Sequence, residues 1–292
     1  MAPRIRNLNK GTLFMSFSVV TLVKGRKKQL QNMLESIKQG SRLPSEVVIV
    51  WMEGKSEQSS VEDDDLNIKQ IYIEKGTLPL AEARNQGFRN TSFNSVIFLD
   101  VDCICSPTVL ENLLAHLKQK TITSAFTRYL PYIPFSGDYA LTEADAYAHP
   151  KRAQLKAYEP LPHKKFWSLV FALYRDDFNE IGGFDEQFTG YGGEDTDFAE
   201  RFNKLGFSFS LVEDEVLHQY HLKYSPPLNY VSAIVENANL FHTKHGYFPM
   251  YSWLQAFCQK RYVAFNANKN QFEVTRRPTL ADINAVLSTQ PY

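Results

Sequence analysis

Two aspartates separated by one residue follow a short apolar segment near the middle of the chain. The segment is Ser95–Leu99, with the sequence SVIFL, and the triplet after it is Asp100-Val101-Asp102. Alternate side chains of an extended backbone point the same way, so both carboxylates would share one side and Val101 would face the other. Such oxygen ligands suit a hard divalent cation that is bound together with substrate phosphates. A helix cap or a solvated turn would account for the same triplet without a ligand.

Two histidines three residues apart, His218 and His221, provide a second set of candidate metal ligands. Neutral imidazole is a common ligand of transition metals, and manganese accepts mixed oxygen and nitrogen donors. Together with Asp102 they predict a site for Mn²⁺ (or Mg²⁺). A second pair, His242 and His245, has the same spacing on a predicted helix but has no acidic motif nearby, so we expect it to be structural.

A glycine-rich turn, Gly190-Tyr191-Gly192-Gly193, precedes the carboxylates Glu194 and Asp195 at a predicted helix start. The positive end of a helix dipole favours carboxylates, so simple charge decoration of the helix would explain them. Adjacent glycines, however, let a ligand approach the backbone closely. The pattern therefore indicates either an N-terminal charge pair or a pair of functional carboxylates.

Side chains outside these motifs also have chemistry that fits a phosphate or a sugar. Arg84 and Asn85 lie on a predicted helix, where the arginine could pair with a phosphate and the asparagine could orient a loop or a base. An ordinary exposed helical arginine is the alternative. Trp167 could stack on a sugar ring, although aromatic residues in such a cluster are more often part of the core.

The segments that would position these residues alternate between strand and helix patterns. Buried strands are predicted at 16–23, 46–51, 68–73 and 95–99, and helices at 27–38, 80–88 and 106–118. This alternation predicts an α/β fold with a parallel sheet and crossover helices. Ligands bind such sheets at the carboxyl ends of the strands, which is where Asp100 and Asp102 lie.

The second half of the chain has a less regular pattern. A proline- and tyrosine-rich loop is predicted over 129–165, and the polar tail over 266–292 is expected to be partly loose. Between them we predict strands at 166–174 and 207–212, and helices starting near Asp176, over 194–204 and over 230–245.

Composition excludes several classes of protein. Among 292 residues, Lys plus Arg and Asp plus Glu number 32 each, so nothing in the net charge indicates a nucleic-acid partner. Three cysteines cannot form a disulfide framework, and the spacing of Cys103 and Cys105 disfavours a bridge between them, which fits a reducing, cytoplasmic setting. The apolar stretch 12–23, after Arg4, Arg6 and Lys10, is predicted to be a buried strand, because it is too short to span a bilayer and no small-residue cleavage site follows it.

In this order the motifs resemble the GT-A glycosyltransferases, specifically the family-2-like group with a galactosyltransferase-type motif. The resemblance extends over about residues 16–222, and its strongest block runs from Gly182-Gly183-Phe184-Asp185-Glu186 to Gly192-Gly193-Glu194-Asp195-Thr196-Asp197. That block is similar to β-1,4-galactosyltransferases, polypeptide N-acetylgalactosaminyltransferases and a chondroitin polymerase. Tyr191 stands where the galactosyltransferases have tryptophan, so acceptor stacking is expected to differ.

The resemblance implies a mixed-sheet GT-A domain over 1–222, with a nucleotide-sugar half at about 14–128 and an acceptor half at 129–222. Residues 223–292 would be a helical extension packed on the same domain. The implied reaction transfers a hexose or N-acetylhexosamine from a UDP-sugar to a hydroxyl of a glycan or other acceptor, with inversion, in polysaccharide biosynthesis. Association with the membrane periphery is compatible with this.

The resemblance also implies a role for each matched residue. Asp195 would be the general base and Glu194 would hold the acceptor, while Asp102, His218 and His221 would ligate the metal. Acceptor contacts are implied for Tyr191, Gly192, Gly193 and Trp167. Nucleotide-sugar contacts are implied for Thr21, Arg26, Glu53, Arg84, Asn85, Asp100, Val101 and Asp102.

Three alternatives remain at this point. A retaining enzyme like the N-acetylgalactosaminyltransferases shares much of the block. A sugar nucleotidyltransferase would need a richer glycine loop than Val23-Lys24-Gly25-Arg26-Lys27. A non-catalytic nucleotide-sugar or carbohydrate-binding protein would not require the two aspartates, Asp195 and the histidine pair together.

Overall fold

A computed structural model of the chain describes residues 15–152 and 154–290, so the basic residues Arg4, Arg6 and Lys10 lie outside it. Its strands are β1 (Phe17–Val23), β2 (Glu46–Trp51), β3 (Ile68–Tyr72), β4 (Ser95–Leu99), β5 (Cys103–Cys105), β6 (Thr121–Tyr129), β7 (Tyr147–Ala148), β8 (Val170–Tyr174), β9 (Ser208–His218), β10 (Lys223–Tyr224), β11 (Val263–Asn266), β12 (Gln271–Val274) and β13 (Leu287–Ser288). Its α-helices are α1 (Lys27–Gln39), α2 (Leu80–Arg89), α3 (Val109–Ala115), α4 (Tyr139–Thr142), α5 (Arg175–Ile181), α6 (Glu194–Lys204), α7 (Val231–His245), α8 (Tyr251–Gln259) and α9 (Leu280–Asn284).

The central feature is a nine-stranded mixed sheet in the order β3-β2-β1-β4-β8-β6-β9-β5, with β7 attached to β6. The first four strands are parallel, as predicted. Beyond them β8 runs antiparallel to both β4 and β6, and β5 runs antiparallel to β9. The alternation of strands and helices predicted only the parallel part, because β8 and β9 come from the irregular second half of the chain and β5 is only three residues long.

Apolar side chains cover both faces of this sheet. On one face α1 and α3 pack through residues such as Leu30, Met33 and Leu113, all fully buried. On the other face α2, α5 and α6 contribute a cluster rich in phenylalanine, in which the rings of Phe184 and Phe198 stack at 4.4 Å between centroids. The two layers hold the strands in place, so the loops at their carboxyl ends are positioned by a rigid sheet.

Several predicted elements differ from those observed. The helix expected over 106–118 is shorter, because the Ser106 hydroxyl bonds to Asp214 and the helix begins at Val109. The strand expected over 166–174 begins at Val170, and the one expected over 207–212 continues to His218. β6, of sequence TITSAFTRY, was not predicted: it is buried between neighbours on both sides and lacks the strict polar alternation of a half-buried strand.

The segment after residue 225 forms a small unit with its own apolar cluster, centred on Ile234, Leu254 and Phe257. It contains α7, α8 and a β11–β12 hairpin, so the prediction of a partly loose tail is wrong for the hairpin, where Phe272 is buried in this cluster. It joins the rest of the chain where His245 Nε2 lies 2.8 Å from Asp197 Oδ1 on α6.

Two smaller predictions are confirmed. His245 pairs with Asp197 and His242 stacks on Phe248 at 4.1 Å between centroids, which gives both histidines structural roles. Cys103 and Cys105 are free and buried.

Among the residues that the structure describes, no helix combines the length and apolarity needed to cross a bilayer.

Candidate active site

The Asp100-Val101-Asp102 triplet forms a tight turn between β4 and β5. The backbone N–H of Asp100 donates to the carbonyl of Leu169 at 2.7 Å, and Val101 packs into the core. The carboxylate of Asp100 is partly exposed, whereas Asp102 is completely buried. The two aspartates therefore differ in environment, although the sequence placed them on the same side.

Antiparallel pairing brings both histidines to Asp102. In the ladder between β5 and β9, Cys103 is paired with His218, so the residue before Cys103 lies beside the end of β9. The Nε2 atoms of His218 and His221 are each 4.0 Å from Asp102 Oδ2. The structure thus brings together the three residues predicted to bind metal, across more than a hundred positions of sequence.

Gln219, between the two histidines, holds this loop in position, and the sequence analysis did not identify it. Its backbone N–H donates to the carbonyl of Asp102 at 2.7 Å, and its side-chain amide donates to the carbonyl of Gln29 at 3.0 Å. Asn32 Nδ2 on α1 in turn donates to Gln219 Oε1 at 2.8 Å. Gln219 is fully buried, which is unusual for a glutamine between two candidate metal ligands. The sequence does not show this burial.

Burial sets the charge state of this cluster. Burial raises the pKa of Asp102, the Arg26 guanidinium opposes this, and the charge of Asp100 adds to it. The net result is a pKa of about 8. Burial lowers the pKa of His218 well below the usual range, and that of His221 in the same direction. Both imidazoles are therefore neutral at physiological pH, which is the form that binds metals.

The cluster fits a divalent cation. Its ligand atoms all lie within 4.8 Å of one another, which is close to the separation of about 3–4 Å expected around an ion with ligands at about 2.1 Å. Asp102 Oδ1 and His218 Nδ1 are buried without a hydrogen-bond partner among the described residues, an expensive arrangement in the absence of a ligand. One carboxylate with two imidazoles suits manganese better than magnesium, which prefers oxygen.

Of the residues predicted to bind nucleotide, Arg26, Glu53 and Asp100 follow the carboxyl ends of β1, β2 and β4. The Arg26 guanidinium pairs with Asp102, and the N–H of Gly25 donates to Glu53 Oε1 at 3.0 Å, which fixes the loop that carries Arg26. Thr21, in contrast, is fully buried within β1. Its Oγ1 is buried without a hydrogen-bond partner among the described residues, and contact with nucleotide stays a prediction for Thr21.

Glu194 is held by Arg84 on the adjacent helix. Gly193 precedes α6 with a φ of 94°, a conformation that favours glycine, and Glu194 follows as the first helical residue. Arg84 Nη1 lies 3.0 Å from Glu194 Oε1, both side chains being largely buried, and the guanidinium is 4.9 Å from the ring centroid of Phe184. Arg84 is therefore engaged with the predicted acceptor residue, not with the nucleotide loops.

Asp195, unlike Glu194, has no ion pair among the described residues. It is half-buried, and its Oδ1 accepts hydrogen bonds only from Thr196 among the described residues, at 2.7 Å from the backbone N–H and 3.3 Å from the hydroxyl. Burial and the adjacent Glu194 raise the pKa of Asp195 to about 6, against the charge of Arg84. A carboxyl group with this pKa can exchange a proton near neutral pH.

Two predicted site residues are occupied by structural contacts. Asn85 Nδ2 donates to the carbonyl of Phe184 and to Glu186 at 2.8 Å each, while its Oδ1 accepts from the N–H of Phe184. Its amide thus fixes the turn before the glycine-rich loop, and contact with nucleotide stays a prediction. For Trp167, the guanidinium of Arg152 lies 4.0 Å from the ring centroid and covers one face.

Tyr191 lies in an aromatic cluster that the sequence analysis did not identify. Its ring stacks with Tyr230 at 4.6 Å between centroids and with Trp253 at 6.2 Å. Gly192 beside it has a φ of 92°, and a Cβ there would approach the sulfur of Met250 to 2.7 Å. The predicted acceptor loop is therefore packed directly against the C-terminal segment.

Two family models match the chain. Residues 18–182 match glycosyl transferase family 2, and residues 148–225 match a model described as the N-terminal domain of galactosyltransferase. Together the two ranges contain every residue that the motifs indicated as functional, and they end at residue 225.

Curated relatives include two proteins described as validoxylamine A glucosyltransferase, from Streptomyces hygroscopicus subsp. jinggangensis (strain 5008) and from Streptomyces hygroscopicus subsp. limoneus. Each is 26% identical over 206 residues, which is 63% of this chain and 49% or 45% of the relative, respectively. This chain thus spans about half the length of the curated relatives it matches.

Solved structures with a similar fold include GalNAc-T7 with UDP, GalNAc and Mn²⁺, at a TM-score of 0.55 and 17% identity, covering 84% of this chain and 57% of that one. The mannosyltransferase PcManGT from Pyrobaculum calidifontis, in complex with GDP-Man and Mn²⁺, gives a TM-score of 0.52 at 14% identity, covering 80% and 65%. S. aureus TarS 1–349 gives 0.51 at 14% identity, covering 77% and 65%. These similarities confirm the predicted α/β fold of the GT-A type.

Proposed function

Because the chain belongs to glycosyl transferase family 2, we propose that it transfers a hexose or N-acetylhexosamine from a UDP-sugar to a hydroxyl group of a glycan or other acceptor. The convergence of Asp102, His218 and His221 at the carboxyl end of β4 is the observation that supports this most strongly. It places a cation site where an open α/β sheet binds its ligands.

Asp102, His218 and His221 would hold Mn²⁺. The two neutral imidazoles and their approach to Asp102 Oδ2 at 4.0 Å each support this, and two structures of similar fold are complexes with Mn²⁺. When bound, the cation offsets the charge that develops on the leaving diphosphate. Gln219 keeps the histidine loop against Asp102, so the ligands are positioned before the donor arrives.

The donor would lie over the ends of β1, β2 and β4. Asp100, partly exposed beside the buried Asp102, is placed to contact the ribose or the hydration shell of the cation. Arg26 supplies a positive charge at the same edge, and Glu53 fixes the loop that carries it. UDP is the proposed nucleotide because the motifs resemble UDP-sugar enzymes.

Asp195 would take the proton from the acceptor hydroxyl. The acceptor oxygen then attacks the anomeric carbon while the bond to the diphosphate breaks on the opposite face, which inverts the anomeric configuration. Arg84 holds Glu194 in place for hydrogen bonding to the acceptor. Gly193, with a φ of 94°, turns the chain into α6 and so sets the position of Asp195.

A screen of nucleotide sugars tests the proposal. UDP-glucose, UDP-galactose, UDP-N-acetylglucosamine, UDP-N-acetylgalactosamine and GDP-mannose are each incubated with the protein and Mn²⁺, and release of the nucleoside diphosphate is measured. We expect release from one UDP-sugar that is abolished by EDTA. Release that survives EDTA, or tighter calorimetric binding of GDP than of UDP with Mn²⁺, would contradict the metal or the nucleotide assignment. A product with retained anomeric configuration by NMR would exclude inversion.

A further inference from the structure

Three aromatic rings from separate parts of the chain meet beside the proposed base. Tyr191 belongs to the glycine-rich loop, Tyr230 precedes α7, and Trp253 lies on α8. The ring of Tyr191 stacks with both of the others, at interplanar angles of 18° and 26°. Burial, with the charges of Glu194 and Asp195, raises the pKa of Tyr191.

The glycine-rich loop is held rigidly against the C-terminal segment. Asn237 on α7 is buried, and its side-chain N–H groups donate to the carbonyls of Thr189 at 2.9 Å and Gly192 at 2.8 Å. On its other side the loop is tied to the start of α2, because the N–H of Gly190 donates to the carbonyl of Leu78 at 3.0 Å. The cluster is therefore a fixed surface and not a mobile flap.

Tyr230 is the most accessible ring of the three. It retains 36% of its exposure, whereas Tyr191 and Trp253 are more deeply packed in the apolar cluster around Ile234 and Leu254. A sugar ring has an apolar face of C–H groups and a rim of hydroxyls, so it packs well on an aromatic ring that carries a hydroxyl of its own. The cluster offers such a surface, and its Tyr191 lies four residues before Asp195 in the chain.

We propose that Tyr230, supported by Tyr191 and Trp253, is the surface on which a pyranose ring of the acceptor rests while its reacting hydroxyl faces Asp195. This rests on the proposed function and deepens it, since it makes the acceptor a carbohydrate and assigns its recognition to the segment after residue 225. Tyr230 and Trp253 lie outside both matched family ranges, whereas Tyr191 lies inside one of them.

Saturation-transfer NMR tests this assignment without knowledge of the natural acceptor. The protein is loaded with Mg²⁺ and UDP, to avoid paramagnetic broadening by manganese, and its aromatic protons are irradiated in the presence of methyl β-glucoside, methyl β-galactoside, lactose or N,N′-diacetylchitobiose. We expect saturable transfer to the C–H protons of at least one sugar. Tyr230→Ala should weaken that binding by about fivefold or more, whereas Tyr230→Phe, which keeps the ring, should bind within about twofold of the unmodified protein.

Tyr251→Ala is the matched control, because Tyr251 is an exposed tyrosine in the same segment at 54% exposure. It should not change sugar binding. Unchanged affinity in Tyr230→Ala, equal losses in Tyr230→Ala and Tyr251→Ala, or no saturable sugar binding by the unmodified protein would each overturn the assignment. Calorimetry of UDP with Mn²⁺ separates the two proposals: its failure in the unmodified protein contradicts the proposed function, whereas normal UDP binding with unchanged sugar affinity in Tyr230→Ala contradicts only the role of Tyr230.

Discussion

Arg26 and Asp102 form an ion pair across the carboxyl ends of β1 and β4, and the guanidinium contacts the same oxygen, Asp102 Oδ2, that faces both histidines. A divalent cation ligated by that oxygen would therefore meet the Arg26 charge directly. Once the cation takes Oδ2, the guanidinium becomes available to a diphosphate at the same edge. We therefore expect the pair to link cation binding to nucleotide binding through the Arg26 side chain.

Removing Arg26 should have opposite effects on the two ligands. In Arg26→Ala, Mn²⁺ alone should bind about 2- to 5-fold more tightly because a competing charge is gone, an effect kept small by the partial exposure of Arg26. UDP in the presence of Mn²⁺ should bind about tenfold more weakly, because a charge-assisted contact to phosphate is lost. Calorimetry measures both.

Lys28→Ala serves as the control for this variant. Lys28 lies in the first turn of α1, two residues after Arg26, and its ammonium donates to the carbonyl of Phe135. The variant therefore tests the effect of removing a nearby positive charge alone. If Lys28→Ala reproduces both shifts, or if Arg26→Ala weakens both ligands, the competition at Asp102 Oδ2 does not occur.

The proposed metal ligand His218 can be compared with His242, which belongs to a histidine pair of the same spacing. His218→Ala should weaken Mn²⁺ binding by about 100-fold or more, since loss even of an outer-shell partner costs about 10- to 100-fold. His242→Ala removes a histidine from a pair with the same spacing, but His242 stacks on Phe248 and should leave Mn²⁺ affinity unchanged. Electron paramagnetic resonance of free Mn²⁺ distinguishes the two; equal affinity in both variants would contradict the assignment.

The sequence predicted the parts of the site that depend on local pattern. Asp102 follows an apolar strand and Glu194 begins a helix behind two glycines, and both placements are confirmed. The sequence did not predict which residues these two contact. Asp102 contacts Arg26 because β1 and β4 are neighbouring strands. Glu194 contacts Arg84 because α2 and α6 pack on the same face of the sheet. Such pairings depend on strand order, which no local pattern specifies.

The C-terminal half was predicted less well for a related reason. No local sequence pattern marks Tyr230, Asn237 or Trp253 as part of a site. They were not identified because their contacts with the glycine-rich loop depend on how the C-terminal segment packs. β6 was missed because a strand buried on both sides has no polar alternation to reveal it. The tail was misjudged because its few apolar residues, such as Phe272, are enough to anchor it.

The pH dependence of transfer should follow Asp195. Its pKa is raised to about 6, and only the ionised carboxylate can accept a proton, so activity is lost as pH falls through this value. At saturating donor and Mn²⁺, kcat/KM for the acceptor should rise about tenfold per pH unit below 6 and level off above about 7. An acid limb centred near pH 4 would show that Asp195 is not perturbed or not the base.

The two adjacent carboxylates should behave differently when neutralised. Asp195→Asn keeps the shape but removes the basicity, so transfer should fall by about 10²- to 10⁴-fold while UDP affinity stays near normal. Glu194→Gln weakens the ion pair with Arg84 and should raise the acceptor KM more than it alters donor binding. Initial-rate kinetics with both substrates varied separates these effects. Near-native turnover by Asp195→Asn would show that Asp195 is not the base and that its carboxylate only bonds to Thr196 at the start of α6.

Two asparagines on α7 allow the role of the C-terminal segment to be tested with a matched pair. Asn237 donates to the carbonyls of Thr189 and Gly192, whereas Asn239, two residues on, donates to the carbonyl of Phe272 at 2.8 Å and accepts from its N–H at 2.9 Å. Each side chain therefore satisfies backbone groups, but only Asn237 holds the loop that leads to Glu194 and Asp195. Replacement by alanine should destabilise both variants similarly, by about 1–3 kcal/mol, because backbone groups lose their partners.

Only Asn237→Ala should impair transfer. A loosened loop displaces Asp195 relative to the acceptor, and misplacement of about 1 Å can cost about 100-fold, so we expect kcat for transfer to fall by about 10- to 100-fold while the Kd for UDP with Mn²⁺ is unchanged. Urea unfolding gives the stability of each variant, and kinetics are measured well below the unfolding temperature of both. If Asn239→Ala loses as much activity as Asn237→Ala at equal stability, the effect is one of general destabilisation, and the hydrogen bonds from α7 to the loop do not position the base.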